Sequence, residues 1–178
     1  MRQCVQKLFI VLALALVVSA ASSCHTKHAI TGNRPSPNKG IQSGKLIIEK
    51  GDNTQLYQEI NKWIGTPYAA GAHTMGQGTD CSGFVMEVYK TVFHIDLERN
   101  SKRMYEKNCV MIKQDELKEG DLVFFNTGGS NGSINHVGIY LKAGKFAHAS
   151  SSRGVMISDM SQAYYIKHFI VAGRVLQP

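Results

Sequence analysis

From Asp121 onward the chain is cut into five short apolar runs, at 121–126, 136–141, 145–150, 155–158 and 166–175, with GGSNG, KAGK and SSRG among the stretches between them. Turn-forming residues at such intervals mark strand ends, and gaps this short leave no room for crossover helices, so the strands are expected to pair antiparallel. Upstream the period changes. In TQLYQEINKWIG, Leu56, Ile60, Trp63 and Ile64 recur at helical spacing, and the pattern stops at Gly65 ahead of Pro67. A second helix is expected from Cys81 through SGFVMEVYKTVF, with Phe84, Val85, Val88, Tyr89 and Val92 as its buried stripe. Helices followed by strands define an α+β fold, with N-terminal helices packed on a central antiparallel sheet of about five to six strands.

The first residues belong to a different kind of segment. Arg2 and Lys7 precede an unbroken apolar run, Leu8 to Val18, and then come Ser19, Ala20, Ala21, Ser22, Ser23 and Cys24. Eleven residues are too few to span a hydrocarbon core, which takes about 20. A basic start, a short apolar stretch and small residues form an export signal. Residues 1–23 resemble a bacterial lipoprotein signal, which makes Cys24 the lipidated first residue of the mature chain. Ala21 departs from that pattern, standing where a larger aliphatic residue is usual, and the plain alternative is secretion with Cys24 as a bystander. Residues 24–52 read as a flexible tether, rich in Gly, Pro, Ser, Asn and Lys, and the folded domain is expected over 53–178. His25 and His28 have a metal-like spacing, but in an open linker they read as solvated polar residues.

This division reinterprets the charge. The whole chain carries +7, but the signal and tether take most of it and leave about +2 for residues 53–178. With export and no dense basic stripe interleaved with aromatics, nucleic acid is excluded as a partner.

Cys81, in TDCSGF, lies where a Gly-rich loop meets the second helix. Backbone N–H groups and the helix dipole at such a place favour a thiolate, the nucleophilic form; a buried space-filling cysteine is the competing reading. His136 opens the run HVGIYL, placed as a general base, and His148 in KFAHAS is the nearby group that could orient it. Register decides whether they meet. A two-residue loop at 143–144 puts the two histidines on opposite faces, whereas a three-residue loop at 142–144 puts them on one face as diagonal neighbours, with Gly144 free to take positive φ. Asp80 reads as a helix N-cap, as a carboxylate able to hold an ammonium group, or as both. His73 and Cys109 lack a compact ligand spacing, so no metal is expected.

GTPYAAGA, TDCSGF, LKEGDLVFF, NHVGIYL, KFAHASSSRGVMIS and YY…AGRVL together resemble the NlpC family of bacterial cell-wall cysteine peptidases, which are papain-like in architecture, over about residues 55–176. The resemblance implies hydrolysis of an amide bond in peptidoglycan stem peptides, usually between γ-D-glutamate and the diamino acid, with no cofactor. It assigns Cys81 as nucleophile, His136 as base and His148 as the polar third member. Tyr68 faces the thiol and helps with substrate or oxyanion, and Asp80 and Ser82 flank the nucleophile where relatives bind a free L-alanine amine. A monomer is expected, held through a lipid on Cys24 to a membrane facing the cell wall, in the periplasm or at the outer membrane. Ala70, Ala72 and the longer HTMGQGT loop depart from the family pattern, and the segment with Arg99 and Ser101 matches it only loosely, as a subsite lining. Two rivals are a non-catalytic wall-binding module and a papain-like acyltransferase or thioesterase acting on lipids.

Overall fold

The computed structural model describes residues 41–42, 44–128 and 132–177. The export signal, Cys24, His25, His28 and most of the tether lie outside these residues. Ten strands and four helices run in the order β1 (Ile41–Gln42), β2 (Lys45–Leu46), α1 (Thr54–Trp63), β3 (His73–Thr74), β4 (Gly78–Thr79), α2 (Cys81–Phe93), α3 (Ser101–Asn108), β5 (Cys109–Ile112), β6 (Leu122–Phe125), β7 (His136–Tyr140), β8 (Lys145–Ser150), β9 (Gly154–Asp159), α4 (Ala163–His168) and β10 (Phe169–Val175). Six of the strands form one antiparallel sheet in the order β5-β10-β6-β7-β8-β9. The α+β architecture expected from the sequence is the one observed.

The two amphipathic helices cover one face of the sheet. Leu56, Ile60 and Trp63 of α1 and Phe84, Val85 and Val88 of α2 are buried together with Phe124, Val137, Ile139 and Ala147 of the sheet. Trp63 meets Phe84 edge-on at 5.8 Å between ring centroids, which locks the helix pair. The opposite face carries a second cluster, Val123, Phe125, Phe146, Met160 and Tyr165. Burial on both sides explains why β6, LVFF, has no polar alternation.

Three parts of the chain differ from the sequence expectation. Residues 166–168 were expected to open the last strand and instead belong to α4, which seats Tyr165 against Phe125 and Phe146 at 5.5 and 4.8 Å between centroids. One buried position in six residues is too little for a helical period to show. The polar stretch after α2 holds α3, capped by Asn100 accepting from the Lys102 and Arg103 N–H groups, and then the edge strand β5. On the tether side of the expected boundary at residue 52, Leu46 is buried in the core and exchanges backbone hydrogen bonds with the Asn61 side chain. Lys142 in the β7–β8 turn bonds both Glu49 and Asp52.

Candidate active site

Cys81 is the first residue of α2, and its position is set by Asp80. The Asp80 carboxylate accepts from the Gly83 N–H at 2.8 Å, as an N-cap does, so the helix starts at the cysteine. The helix sits close to its surroundings: a methyl on Gly83 would lie 2.5 Å from the Ala72 carbonyl oxygen, so only glycine fits there. Cys81 is buried, with Sγ 4.0 Å from the Asn135 carbonyl, one residue before His136.

The β7–β8 turn has the three-residue form of the two alternatives. Ile139 pairs with Ala147 and Tyr140 with Phe146, Leu141 N–H donates to the Lys145 carbonyl at 2.9 Å, and Gly144 adopts φ +75°. Both histidines therefore fall on one face of the sheet. His136 Nε2 and His148 Nδ1 are 2.9 Å apart. That bond occupies Nε2 of His136 and does not involve its Nδ1. Cys81, His136 and His148 line one cavity of about 140 Å³ together with Tyr68, Asn135, Ser150 and Tyr164.

Tyr68 is held beside the thiol by backbone. It bridges to Thr79, with Ala69 N–H donating to the Thr79 carbonyl and Thr79 N–H to the Pro67 carbonyl, both at 3.0 Å. Burial and the neighbouring Cys81 and Asp80 push its hydroxyl pKa up, so it stays a donor.

Ser82 and Asp80 do not stand open. Arg99 grips both Asp80 oxygens at 2.8 Å, bonds Ser82 Oγ at 2.8 Å and reaches the Ala72 carbonyl at 3.1 Å. Asp80 also accepts from Gly71 N–H and from Ser82 Oγ. Burial works against the carboxylate, yet Arg99 and the backbone donors outweigh it and hold its pKa below the usual range. Arg99 thus acts as the counter-ion of the N-cap, and Ser101 is buried at the start of α3. Elsewhere, His73 Nδ1 lies 2.9 Å from Glu87, and Cys109 is half-buried on β5.

Electrostatics at the reacting pair run against the expectation of a resting thiolate. Burial pushes the Cys81 thiol up, with the Asp80 charge adding to it; the N–H groups of Val137, Ser82 and Cys81 oppose this and lose. Burial lowers His136 to about 4 and holds His148 well below the ordinary histidine value. The resting pair is therefore a neutral thiol beside a neutral imidazole.

Two residues of the site carry no role in the sequence reading. His148 Nε2 lies 2.9 Å from Ser158 Oγ and 3.1 Å from Tyr165 Oη, and these two oxygens are themselves 3.1 Å apart. Ser158 could have been found by register, since β9 pairs it with Phe146, two residues from His148. Tyr165 arrives through α4, which the strand expectation concealed.

Residues 65–174 match the model of the NlpC/P60 family. The chain belongs to this family. It is 40% identical over 141 residues to the Escherichia coli (strain K12) protein named probable endopeptidase NlpC, covering 79% of this chain and 86% of that one. It is 38% identical over 136 residues to the murein DD-endopeptidase MepH of the same organism, covering 75% of this chain and 49% of MepH. Among solved structures, an NLP/P60-family protein of Staphylococcus aureus, described as similar to lipoprotein, superposes with a TM-score of 0.64 at 30% identity, covering 77% of this chain and 45% of that one. In this NlpC/P60 chain Cys81, His136 and His148 line one cavity, and among the described residues no helix is long and apolar enough to cross a membrane.

Proposed function

We propose that this NlpC/P60 chain is an exported cysteine endopeptidase that hydrolyses an amide bond in peptidoglycan stem peptides, between γ-D-glutamate and the diamino acid. The observation that carries this reading is the bond between His136 Nε2 and His148 Nδ1 in the cavity that Cys81, at the start of α2, also lines. The names of the relatives, endopeptidase and murein DD-endopeptidase, supply the substrate class.

The chemistry proceeds from a neutral pair. Cys81 Sγ attacks the acyl carbon as its proton passes to His136 Nδ1, and the carbonyl π electrons move to oxygen. The Cys81 backbone N–H, at the start of α2, and the Tyr68 hydroxyl are the donors for that oxyanion. Collapse breaks the C–N bond, and the His136 imidazolium gives its proton to the leaving amine. Water then attacks the thioester with His136 taking its proton, the S–C bond breaks, and the thiol is restored.

Both rivals meet specific objections. A wall-binding module has no use for a thiol and two bonded imidazoles in one cavity. A lipid-directed transferase needs an apolar cleft, and this one is lined by Thr127, Asn135, Ser150 and Ser151. Cys24 is the proposed lipid site and holds a monomeric enzyme at a membrane facing the wall; the mass of the mature N-terminal peptide tests this, with an unmodified Cys24 counting against it. Mass analysis of muropeptides after digestion of purified peptidoglycan tests the activity. The expected result is new termini at γ-D-glutamate and none with Cys81→Ala. Cleavage only at a D,D cross-link would overturn the bond assignment, and an active Cys81→Ala protein would overturn the mechanism.

A further inference from the structure

The relay from Cys81 does not stop at His148. Its far nitrogen, Nε2, is enclosed by Ser158 Oγ and Tyr165 Oη, and all three groups are buried. Resting on the peptidase reading above, we propose that Ser158 and Tyr165 are positioning residues that fix His148 as the Nε2–H tautomer and so keep Nδ1 of His136 free to take the thiol proton.

Proton counting gives the reason. His136 must accept at Nδ1, so it carries its hydrogen on Nε2 and donates to His148 Nδ1. His148 must then carry its own hydrogen on Nε2 and find an acceptor there. If His148 instead held the hydrogen on Nδ1, it would donate to His136, moving that ring's hydrogen to Nδ1, the nitrogen the peptidase reading assigns to the thiol, and blocking the base. Once two hydroxyls have spent one hydrogen on the bond between them, three lone pairs and one hydrogen remain, so a lone pair is open to accept from His148 Nε2–H. The need sharpens in the reaction. The His136 imidazolium donates from both nitrogens, and only an accepting His148 Nδ1 can face it.

The surroundings leave few other ways to hold the ring. His148 stacks on Phe146 at 4.9 Å between centroids and meets Tyr165 edge-on at 5.7 Å, so its plane is fixed by packing and its tautomer by the hydroxyls. Tyr165 also lines the cavity, whereas Ser158 is not among the lining residues. Substitution at Ser158 therefore isolates the positioning role from any contact with substrate.

The test uses Ser158→Ala, Tyr165→Phe and the double variant in the purified protein. The direct readout is the ¹⁵N NMR signature of the His148 ring, which needs no substrate and so stands even if the peptidoglycan activity proves wrong. The wild type is expected to show protonated Nε2 and bare Nδ1, and the double variant a mixture or the reverse. With peptidoglycan fragments, kcat is expected to fall roughly tenfold in each single variant and about a hundredfold in the double, with KM changed less than twofold, against the ~10⁴ loss that a wrong tautomer causes in serine-protease triads. In a His148→Asn background, whose side-chain carbonyl accepts from His136 without any tautomer, removing the hydroxyls is expected to change kcat less than twofold. A wild-type ring with its hydrogen on Nδ1 overturns the proposal, as does a double variant with unchanged tautomer. Equal losses of kcat in the wild-type and His148→Asn backgrounds would assign the hydroxyls a purely structural role and overturn it as well.

Discussion

A methyl group on Gly138 would come within 3.2 Å of the His148 Cβ and 2.7 Å of a Phe146 ring carbon, with the Ala147 carbonyl oxygen at 2.8 Å. These two residues face each other across β7 and β8, and the absence of a side chain at one allows the other to lean toward His136. Gly138→Ala is expected to push β8 away and lengthen the bond between the histidines. Overpacking of this kind costs about 1–3 kcal/mol, so the melting temperature should drop and kcat should fall more than tenfold. Gly128→Ala, where nothing lies within 4 Å, is the matched control. A Gly138→Ala enzyme with wild-type kcat would contradict the argument.

The neutral resting pair predicts how Cys81 responds to alkylating reagents. With the thiol raised above its ordinary value and His136 lowered to about 4, little thiolate exists at neutral pH. The rate of alkylation by iodoacetamide should rise about tenfold per pH unit from pH 6 to pH 9. A rate already flat across that range would mean a standing thiolate–imidazolium pair.

Acid stability follows from the same depression. His136 binds its proton more weakly folded than unfolded, so the unfolded chain takes up more protons between about pH 6.5 and about pH 4. The stability is whole above the unfolded value and is lost as pH falls through this window. His136 alone accounts for on the order of 3 kcal/mol. Urea midpoints at several pH values measure this, and His136→Gln should flatten the slope; an equal slope in that variant would assign the loss to other groups.

The Arg99 grip on Asp80 bears on substrate choice. A free carboxylate beside the nucleophile would prefer a substrate with a free terminal amine by about tenfold or more, but both Asp80 oxygens are already engaged. Stem peptides with free and N-acetylated termini should therefore be cleaved with kcat/KM values within about threefold of each other. Arg99→Gln should release Asp80 and raise the preference for the free amine, while costing about 1 kcal/mol of stability, since Arg99 is about a third exposed and screened by water. A strong preference for the free amine in the wild type would refute this.

The parts of the site that follow from local rules could be read from residues alone. Cys81 was placed at a helix start because a Gly-rich loop preceded an apolar stripe, and His148 was placed beside His136 by the parity of one turn. Tyr165 reaches His148 only because the chain after β9 turns into a short helix, whereas Ser158 sits on β9 itself. Six residues with a single buried position contain too little periodicity to announce that helix. Arg99 was equally hidden: its partner lies 19 residues away, and no spacing rule links a loop arginine to a helix cap. The edge strand β5, with Val110 and Met111 exposed, lacks the buried face that makes a strand recognisable.

Ending the relay on hydroxyls has an electrostatic consequence at longer range. With Asp80 paired to Arg99 and burial favouring the neutral forms of the thiol and both imidazoles, Arg153 is a formal charge whose field still reaches His148. A polymer whose stem peptides carry free carboxylates meets no opposing field from these groups on its way in.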